Sequence, residues 1–230
     1  MSSMILVSAL YGDYDEPPAL PQDLGIKSVM YTDNPHLYAQ GWEEIRVVPH
    51  GIVSAHGDPR ITGPMLAHKY WKMFGGWDEA DITIWLDASM TIAVDDFVTR
   101  CADIINTPAW DLVLMQHPWR NNVHDEAVYS AQLHRYASLA EHITDQLDFY
   151  TELGLHYNTG LFASGFYIRR NIGRVHKLMK DWWWECITRT HQDQLSLPVV
   201  LALNPDVDFF VGLPWHDDPG CWTHLGHHLK

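Results

Sequence analysis

Residues 81–90 decide the fold: Asp81-Ile82-Thr83-Ile84-Trp85-Leu86-Asp87-Ala88-Ser89-Met90. The run of β-branched and apolar residues predicts a buried strand over 82–87 that delivers a carboxylate at its carboxyl end. In an open α/β sheet, ligands bind at the carboxyl ends of the strands. Two interpretations follow for Asp87. It holds a divalent metal or a polar substrate, or it caps the element that comes next.

Strands and helices alternate on both sides of this stretch. The patterns predict further strands over 4–10, 26–31, 42–48, 111–116 and 161–169, the third with the interleaved charges of an edge strand. They predict helices over 64–74, 94–105, 192–203 and from 175, and one long or two shorter helices over 124–150. This alternation predicts one α/β domain over residues 1–230, with a mostly parallel central sheet flanked by helices. From about residue 205 we expect an irregular tail rich in His, Trp and Pro.

Composition narrows the classes of partner. The 230 residues are 47% hydrophobic, which favours a folded core, and the formal charge of −14 makes nucleic acid an unfavourable partner. No apolar run approaches the roughly 20 residues that span a bilayer, so we expect neither a membrane partner nor a signal peptide. Three scattered cysteines, without metal-site spacing, are typical of a cytoplasmic protein. Eleven Trp, ten Tyr and fifteen His favour a carbohydrate or nucleotide ligand, although such residues also fill cores.

Several segments, in order along the chain, carry a family resemblance. They are Ala9-Leu10-Tyr11-Gly12-Asp13-Tyr14-Asp15, Tyr31-Thr32-Asp33, Ile84-Trp85-Leu86-Asp87, His117-Pro118-Trp119-Arg120, Asp125-Glu126-Ala127, Trp182-Trp183-Trp184-Glu185 and Asp193-Gln194-Leu195-Ser196. Together they resemble the glycosyltransferase-like family that includes plant mucilage- and pollen-wall-related proteins. The resemblance covers roughly residues 5 to 200.

The resemblance implies a GT-A-like fold and sugar transfer from a nucleoside diphosphate sugar, with a UDP-sugar the preferred donor. Such enzymes hold Mn²⁺ or Mg²⁺ with an Asp-x-Asp motif at the end of the central strand. In this chain the first acid is Asp87, while Ser89 occupies the place of the second. A further departure is His191-Gln192, which stands where the family carries Arg before Asp193.

Four residues are candidates for binding the nucleotide. Asp33 is expected to accept a hydrogen bond from the base, and Tyr11 to stack on it. The alternatives are an Asx turn before Asn34-Pro35 and a plain glycine turn. Arg60 and Lys69 match the basic positions of the family and are expected to neutralise the diphosphate. For Lys69 the alternative is a solvated surface lysine.

Two further groups concern the sugar and the metal. Asp193 and Gln194 begin a helix, and we expect them at the sugar or the acceptor, the alternative being a capping pair. In the preceding helix, Trp184 is the indole expected to contact a ligand. In the tail, His224 is the candidate that completes the metal site, since Mn²⁺ accepts one imidazole among oxygens. The alternative is a solvated tail.

Three functions are consistent with these observations. The first is metal-dependent transfer of a sugar to a protein, glycan or small-molecule acceptor, with Asp193, Asp125 and Glu126 as available bases if the enzyme inverts. The second is a non-catalytic nucleotide- or glycan-binding module, favoured by Ser89. The third is a metal-dependent hydrolase, for which no His-Glu-x-x-His signature is present. Neither the acceptor nor the oligomeric state follows from the sequence.

Overall fold

A computed structural model describes residues 2–12, 15–51, 63–155, 160–212 and 222–224. Within these ranges the strands are β1 Met4–Leu10, β2 Lys27–Thr32, β3 Glu44–Val47, β4 Ile82–Leu86, β5 Met90–Ile92, β6 Leu112–Gln116, β7 Phe162–Arg170, β8 Phe209–Gly212 and β9 Trp222–His224. The α-helices are α1 Gly63–Phe74, α2 Phe97–Asn106, α3 Val123–Gln132, α4 Ala140–Glu152, α5 Gly173–Thr188 and α6 Asp193–Leu203. A 3₁₀ helix spans His134–Leu139.

The central sheet has the strand order β3-β2-β1-β4-β7-β6-β8 in the described ranges. Its pairings are parallel except the two that β7 makes with β4 and β6. The predicted α/β domain with a mostly parallel sheet is therefore confirmed. Because β1, β4 and β6 run in the same direction, their carboxyl ends meet at one edge of the sheet, and the antiparallel β7 brings its amino end there.

The sheet is buried on both faces, as the apolar sequence of β4 requires. Trp85 points into a core formed with α1, α5 and α6, while Ile84 and Leu86 point into the opposite core with α2. These two layers hold β4 rigidly and fix the position at which Asp87 leaves the sheet. Among the described helices, none combines the length and the apolar character that crossing a membrane requires.

Most predicted elements are found within a few residues of their expected bounds. The region 124–150 forms two helices rather than one, and Pro198 lies inside α6. The expectation of an irregular tail from about residue 205 is wrong at two places. Phe209–Gly212 adds a parallel edge strand to β6, and Trp222–His224 pairs with β5. Both segments are too short to show a period of their own, so the neighbouring strand decides their conformation.

Asp111 attaches the edge strand β8 to the rest of the domain. Its buried carboxylate accepts hydrogen bonds from Nε and Nη2 of Arg174 on α5, at 2.5 and 2.6 Å. It also accepts one from the backbone N–H of Asp208, at 3.0 Å. One side chain therefore joins the start of β6, helix α5 and the residue that precedes β8.

Replacing this carboxylate by an amide tests its contribution. Asp111→Asn should lower the free energy of unfolding by about 1–3 kcal/mol, because a charged hydrogen-bond acceptor is lost in a buried position. Urea denaturation followed by circular dichroism measures the change. Asp206→Asn, at an exposed position near the same strand, is the matched control and should change stability by less than about 0.5 kcal/mol. Equal midpoints for both variants would contradict the assignment.

Candidate active site

A cavity of about 390 Å³ opens at the edge where the carboxyl ends of β1, β4 and β6 meet. Its floor is formed by residues that directly follow these strands and by the first half of β7. One wall comes from α1, and further parts of the lining come from residues in the range 117–136 and from the start of α6. Polar and charged groups from five different parts of the chain face this space.

Asp87 stands at the floor of this cavity. Its Oδ1 accepts a hydrogen bond from the indole Nε1 of Trp85 at 2.8 Å, and its backbone N–H donates to the carbonyl of Gly165 at 2.8 Å. A Cβ at Gly165 would lie 3.3 Å from Oδ2 of Asp87, so only glycine leaves this carboxylate its full space. The chain continues from Asp87 into β5, not into a helix. The alternative that Asp87 caps a helix is therefore wrong.

A buried ion pair lies beside Asp87. Lys72, on α1 and 1% exposed, places Nζ 2.7 Å from Oδ2 of Asp193, the first residue of α6. Ser164 of β7 hydrogen-bonds both partners, at 3.2 Å each. Lys69 approaches the other carboxylate oxygen at 3.0 Å. Two ammonium groups thus share one buried carboxylate.

The electrostatics of this group follow from its geometry. Burial alone would raise the pKa of Asp193, but Lys69 and Lys72 outweigh it and hold that pKa well below its usual range. In the same way, burial lowers the pKa of Lys69, but Asp193 and then Asp87 outweigh it and the pKa is raised. Asp193 is ionised at neutral pH and is a weak base. The alternative of a solvated surface lysine at Lys69 is wrong, and the side chain of Asp193 binds lysines rather than capping its helix.

His68 lies one helical turn before Lys72 and also faces the cavity. Its Nε2 is 3.6 Å from Oδ1 of Asp87, and its ring packs edge-on against Trp85 with centroids 5.4 Å apart. Burial lowers the pKa of His68 to about 3, so the imidazole is neutral at pH 7.

A second buried network, centred on Glu126, also lines the cavity. Nε of Arg120 donates to its Oε2, and Nε2 of Gln192 donates to its Oε1 at 3.0 Å. The guanidinium carbon of Arg120 lies 3.9 Å from the ring centroid of Tyr129, at the mouth of the cavity. Nearby, Nδ1 of His117 accepts hydrogen bonds from the backbone N–H groups of residues 119 and 120. Burial and then Arg120 lower the pKa of His117 to about 4.

Six of the predicted site residues line this cavity, namely Tyr11, Lys69, Asp87, Glu126, Asp193 and Gln194. Tyr11 is only 4% exposed, and its hydroxyl accepts a hydrogen bond from Trp71, so its ring is part of the cavity wall. Gln194 donates weakly to the carbonyl of Phe162, at 3.4 Å. The roles expected for these side chains stay predictions.

Asp33 and Trp184 are not among the residues that line the cavity. Asp33 accepts a hydrogen bond from the backbone N–H of Gly12 and pairs with Nδ1 of His50, which ties the ends of β1 and β2 together. Trp184 is 60% exposed on α5 and is not among the lining residues. Arg60 lies outside the described residues.

The backbone of His224 in β9 pairs with Met90, a residue that lines the cavity three positions after Asp87. The backbone of the tail therefore lies beside β5, the strand that follows Asp87. The side chain of His224 is outside what the structure describes. Within the described residues, no three His, Cys, Asp or Glu side chains come together as a metal-binding group. The metal role predicted for Asp87 and His224 stays a prediction.

Lys72, Ser164 and His68 are among the site residues that sequence reasoning missed. The available signal for Lys72 was its spacing, because Lys69 and Lys72 are three residues apart on one helix and therefore lie on one face. That face also buries Leu66 and Met73, so a lysine there required a buried partner. For Ser164, in the middle of an apolar strand, the sequence contained no signal.

The fold and the cavity define a GT-A-like α/β domain. The chain belongs to the family of TOD1/MUCI70 glycosyltransferase-like domains, whose family model matches residues 52–213. The chain is also similar in fold to core-mannan synthase A from Aspergillus fumigatus, solved in its Mn/GDP form. The TM-score is 0.50 at 11% identity, and the match covers 93% of this chain and 73% of that one. No curated protein sequence matches this chain. At this identity, the solved structure shows a shared fold only.

The buried ion pair should be essential for stability. Lys72→Met should lower the free energy of unfolding by about 3–5 kcal/mol, because it leaves the carboxylate of Asp193 buried with one cation fewer. The triple variant Lys69→Met, Lys72→Met, Asp193→Leu should lose less, since it removes both cations together with the carboxylate they share. Urea denaturation of both variants measures the difference.

The control for this comparison is Lys177→Met, which removes an exposed lysine on α5 that pairs with Asp181. It should change the free energy of unfolding by less than about 1 kcal/mol. If Lys72→Met unfolded at the urea concentration of the unmodified protein, the ion pair would carry none of the assigned stability.

His117 should make stability depend on pH in a defined window. Its pKa is about 4 in the folded state and 6.5 when unperturbed, so folding favours the neutral ring. The resulting stability is complete above pH 6.5 and is lost as the pH falls from 6.5 to 4, by about 2–3 kcal/mol. His117→Gln should flatten this part of the profile, measured by urea denaturation at several pH values. The exposed variant His134→Gln should leave the slope unchanged, and an equally steep profile in His117→Gln would contradict the prediction.

Proposed function

We propose that this chain is a metal-dependent glycosyltransferase that moves a sugar from a nucleoside diphosphate sugar to a glycan, protein or small-molecule acceptor. The observation that carries the proposal is the cavity at the carboxyl edge of the sheet, where Asp87 lies beside a second carboxylate held by two lysines. A diphosphate sugar combines negative charge with hydroxyl groups, and this cavity offers both cations and hydrogen-bond acceptors. Membership of a glycosyltransferase-like family supports the same reaction class.

Binding of the diphosphate is assigned to cations at the α1 wall. Lys69 uses one N–H on Asp193, so its ammonium group keeps donors for phosphate oxygens. Arg60, a few residues before α1, is proposed as the second cation, and Asp33 and Tyr11 as the residues nearest the base. UDP is proposed as the nucleotide part of the donor. GDP, which is present in the structure of the core-mannan synthase, is the alternative nucleotide to test.

Residues at the end of β4 fit a divalent cation. Asp87 supplies a carboxylate oxygen, and the neutral imidazole nitrogen Nε2 of His68 lies 3.6 Å from that oxygen. An oxygen and a nitrogen donor together suit Mn²⁺. When bound, such a cation acts as a Lewis acid that stabilises the negative charge of the departing diphosphate. Asp87 is the residue proposed to hold it, with His224 as the ligand that the tail would contribute.

Asp193 is proposed to orient the sugar rather than to remove a proton. A general base works best with a pKa near the working pH, and the two lysines hold the pKa of Asp193 far below that range. Glu126 already accepts hydrogen bonds from Arg120 and Gln192, and Asp125 is exposed and does not line the cavity. Asp193 and Glu126, the two cavity carboxylates considered as bases, are therefore already engaged by cations and hydrogen-bond donors.

The alternative is a module that binds a nucleotide or a glycan without turnover, and Ser89 in place of the second acid is the observation that favours it. The two proposals differ in one measurement. A panel of UDP-, GDP- and ADP-sugars with Mn²⁺ gives release of the nucleoside diphosphate only from an enzyme, whereas a binding module gives affinity and no release.

Asp87→Ala should reduce transfer, or hydrolysis of the donor in the absence of an acceptor, by about 100-fold or more, because electrostatic stabilisation of the leaving group is lost. The fold should persist, since this carboxylate makes only one side-chain hydrogen bond among the contacts described, that from Trp85. The control is Asp125→Ala, which is exposed at the start of α3 and should keep full activity. Unchanged turnover in Asp87→Ala, or full activity of the unmodified protein after chelation, would contradict metal-dependent transfer.

A further inference from the structure

The end of β4 lacks one of the two acids that the resemblance leads one to expect. Ser89 lines the cavity at the second position, and a serine hydroxyl is a much weaker ligand than a carboxylate. Nε2 of His68, on a different element, lies 3.6 Å from Oδ1 of Asp87. We infer that His68 replaces the missing acid and is the second protein ligand of the divalent cation. This inference rests on the proposed function, since it concerns the same site.

The distance between the two atoms is suitable for a shared cation. Nε2 of His68 and Oδ1 of Asp87 are 3.6 Å apart. Two ligands of one cation, each bonded at about 2.1 Å, lie no more than about 4.2 Å apart, so this separation would allow both atoms to hold the same cation.

Trp85 positions both ligands. Its indole N–H donates to Oδ1 of Asp87 at 2.8 Å, and its ring packs against the edge of the His68 ring at 81°. Trp85 is itself fully buried in the core below α1. An outer group that orients a ligand in this way is a common feature of metal sites. In this site, one rigid indole orients both the oxygen and the nitrogen donor.

The charges nearby determine when the cation binds. Lys72 has Nζ 3.6 Å from the same oxygen of Asp87, which opposes a cation there. However, that ammonium lies closer to Asp193, at 2.7 Å, so much of its charge is neutralised. Counting Lys69 as well, two lysines and two aspartates give no net charge. The cation should therefore bind weakly alone and much more tightly when a nucleoside diphosphate adds its negative charge.

The experiment detects the nitrogen ligand directly. Mn²⁺ is bound to the purified protein with UDP or GDP, and pulsed electron paramagnetic resonance measures the coupling of the manganese to ¹⁴N. The unmodified protein should show imidazole coupling, and His68→Gln should lose or reduce it. His224→Gln tests the tail separately. His176→Gln, which removes a histidine stacked on Trp77 away from the cavity, is the matched control and should keep the full signal.

Titration calorimetry adds a second readout that does not depend on turnover. His68→Gln should weaken binding of Mn²⁺ by about 10-fold or more but weaken Mg²⁺ by less, because Mg²⁺ prefers oxygen ligands. His68→Asn is measured in parallel, so that a variant that fails to fold does not decide the result. Thermal unfolding without metal should be similar for the unmodified protein and the variant that is used.

The outcomes separate the two proposals. Full ¹⁴N coupling and unchanged Mn²⁺ affinity in a folded His68 variant would overturn the inference, and so would loss of the coupling in His224→Gln alone. Failure of the unmodified protein to bind Mn²⁺ with either nucleotide would also overturn it. If the coupling depends on His68 but no donor sugar is ever released, the inference holds and the proposed transfer fails.

Discussion

The buried contact between Lys72 and Asp193 is the constraint on which the cavity depends. A lysine with 1% exposure is stable only if its charge is matched, and the 2.7 Å contact with Asp193 provides the match. This requirement ties α1 to the start of α6, two elements more than a hundred residues apart. Ser164, between them on β7, completes the hydrogen bonds of both groups. The positions of Lys69 and His68 follow, because they share a helix with Lys72.

The direction of β7 explains why these groups meet at the ligand-binding edge. The strands β1, β4 and β6 contribute their carboxyl ends or the residues that follow them, whereas β7 contributes its amino end. Ser164 and Gly165 therefore reach the cavity from the start of a strand. Gly165 leaves room for the carboxylate of Asp87, and Ser164 fixes the ion pair. One reversed strand thus shapes the floor without adding a charge to it.

The candidate site illustrates where sequence reasoning is strong and where it fails. Asp87 was placed correctly because a buried strand in a parallel sheet must end at the ligand-binding edge. Asp193 and Lys69 were placed at the cavity by family resemblance, but their pairing with each other was not foreseen. Asp33 was expected at the base. It accepts a hydrogen bond from the backbone N–H of Gly12 and pairs with the side chain of His50, and its contact with a base stays a prediction.

The amino-acid sequence by itself determined the alternating α/β order, the central strand and its terminal Asp87, because periodicity and β-branched content are local properties of the chain. Only the tertiary structure decided that Lys72 is buried, that Ser164 joins it, and that Phe209–Gly212 and Trp222–His224 are strands. Each of these outcomes depends on a partner distant along the chain. A buried charge or a short edge strand is stable only when such a partner is present, and a local pattern contains no information about it.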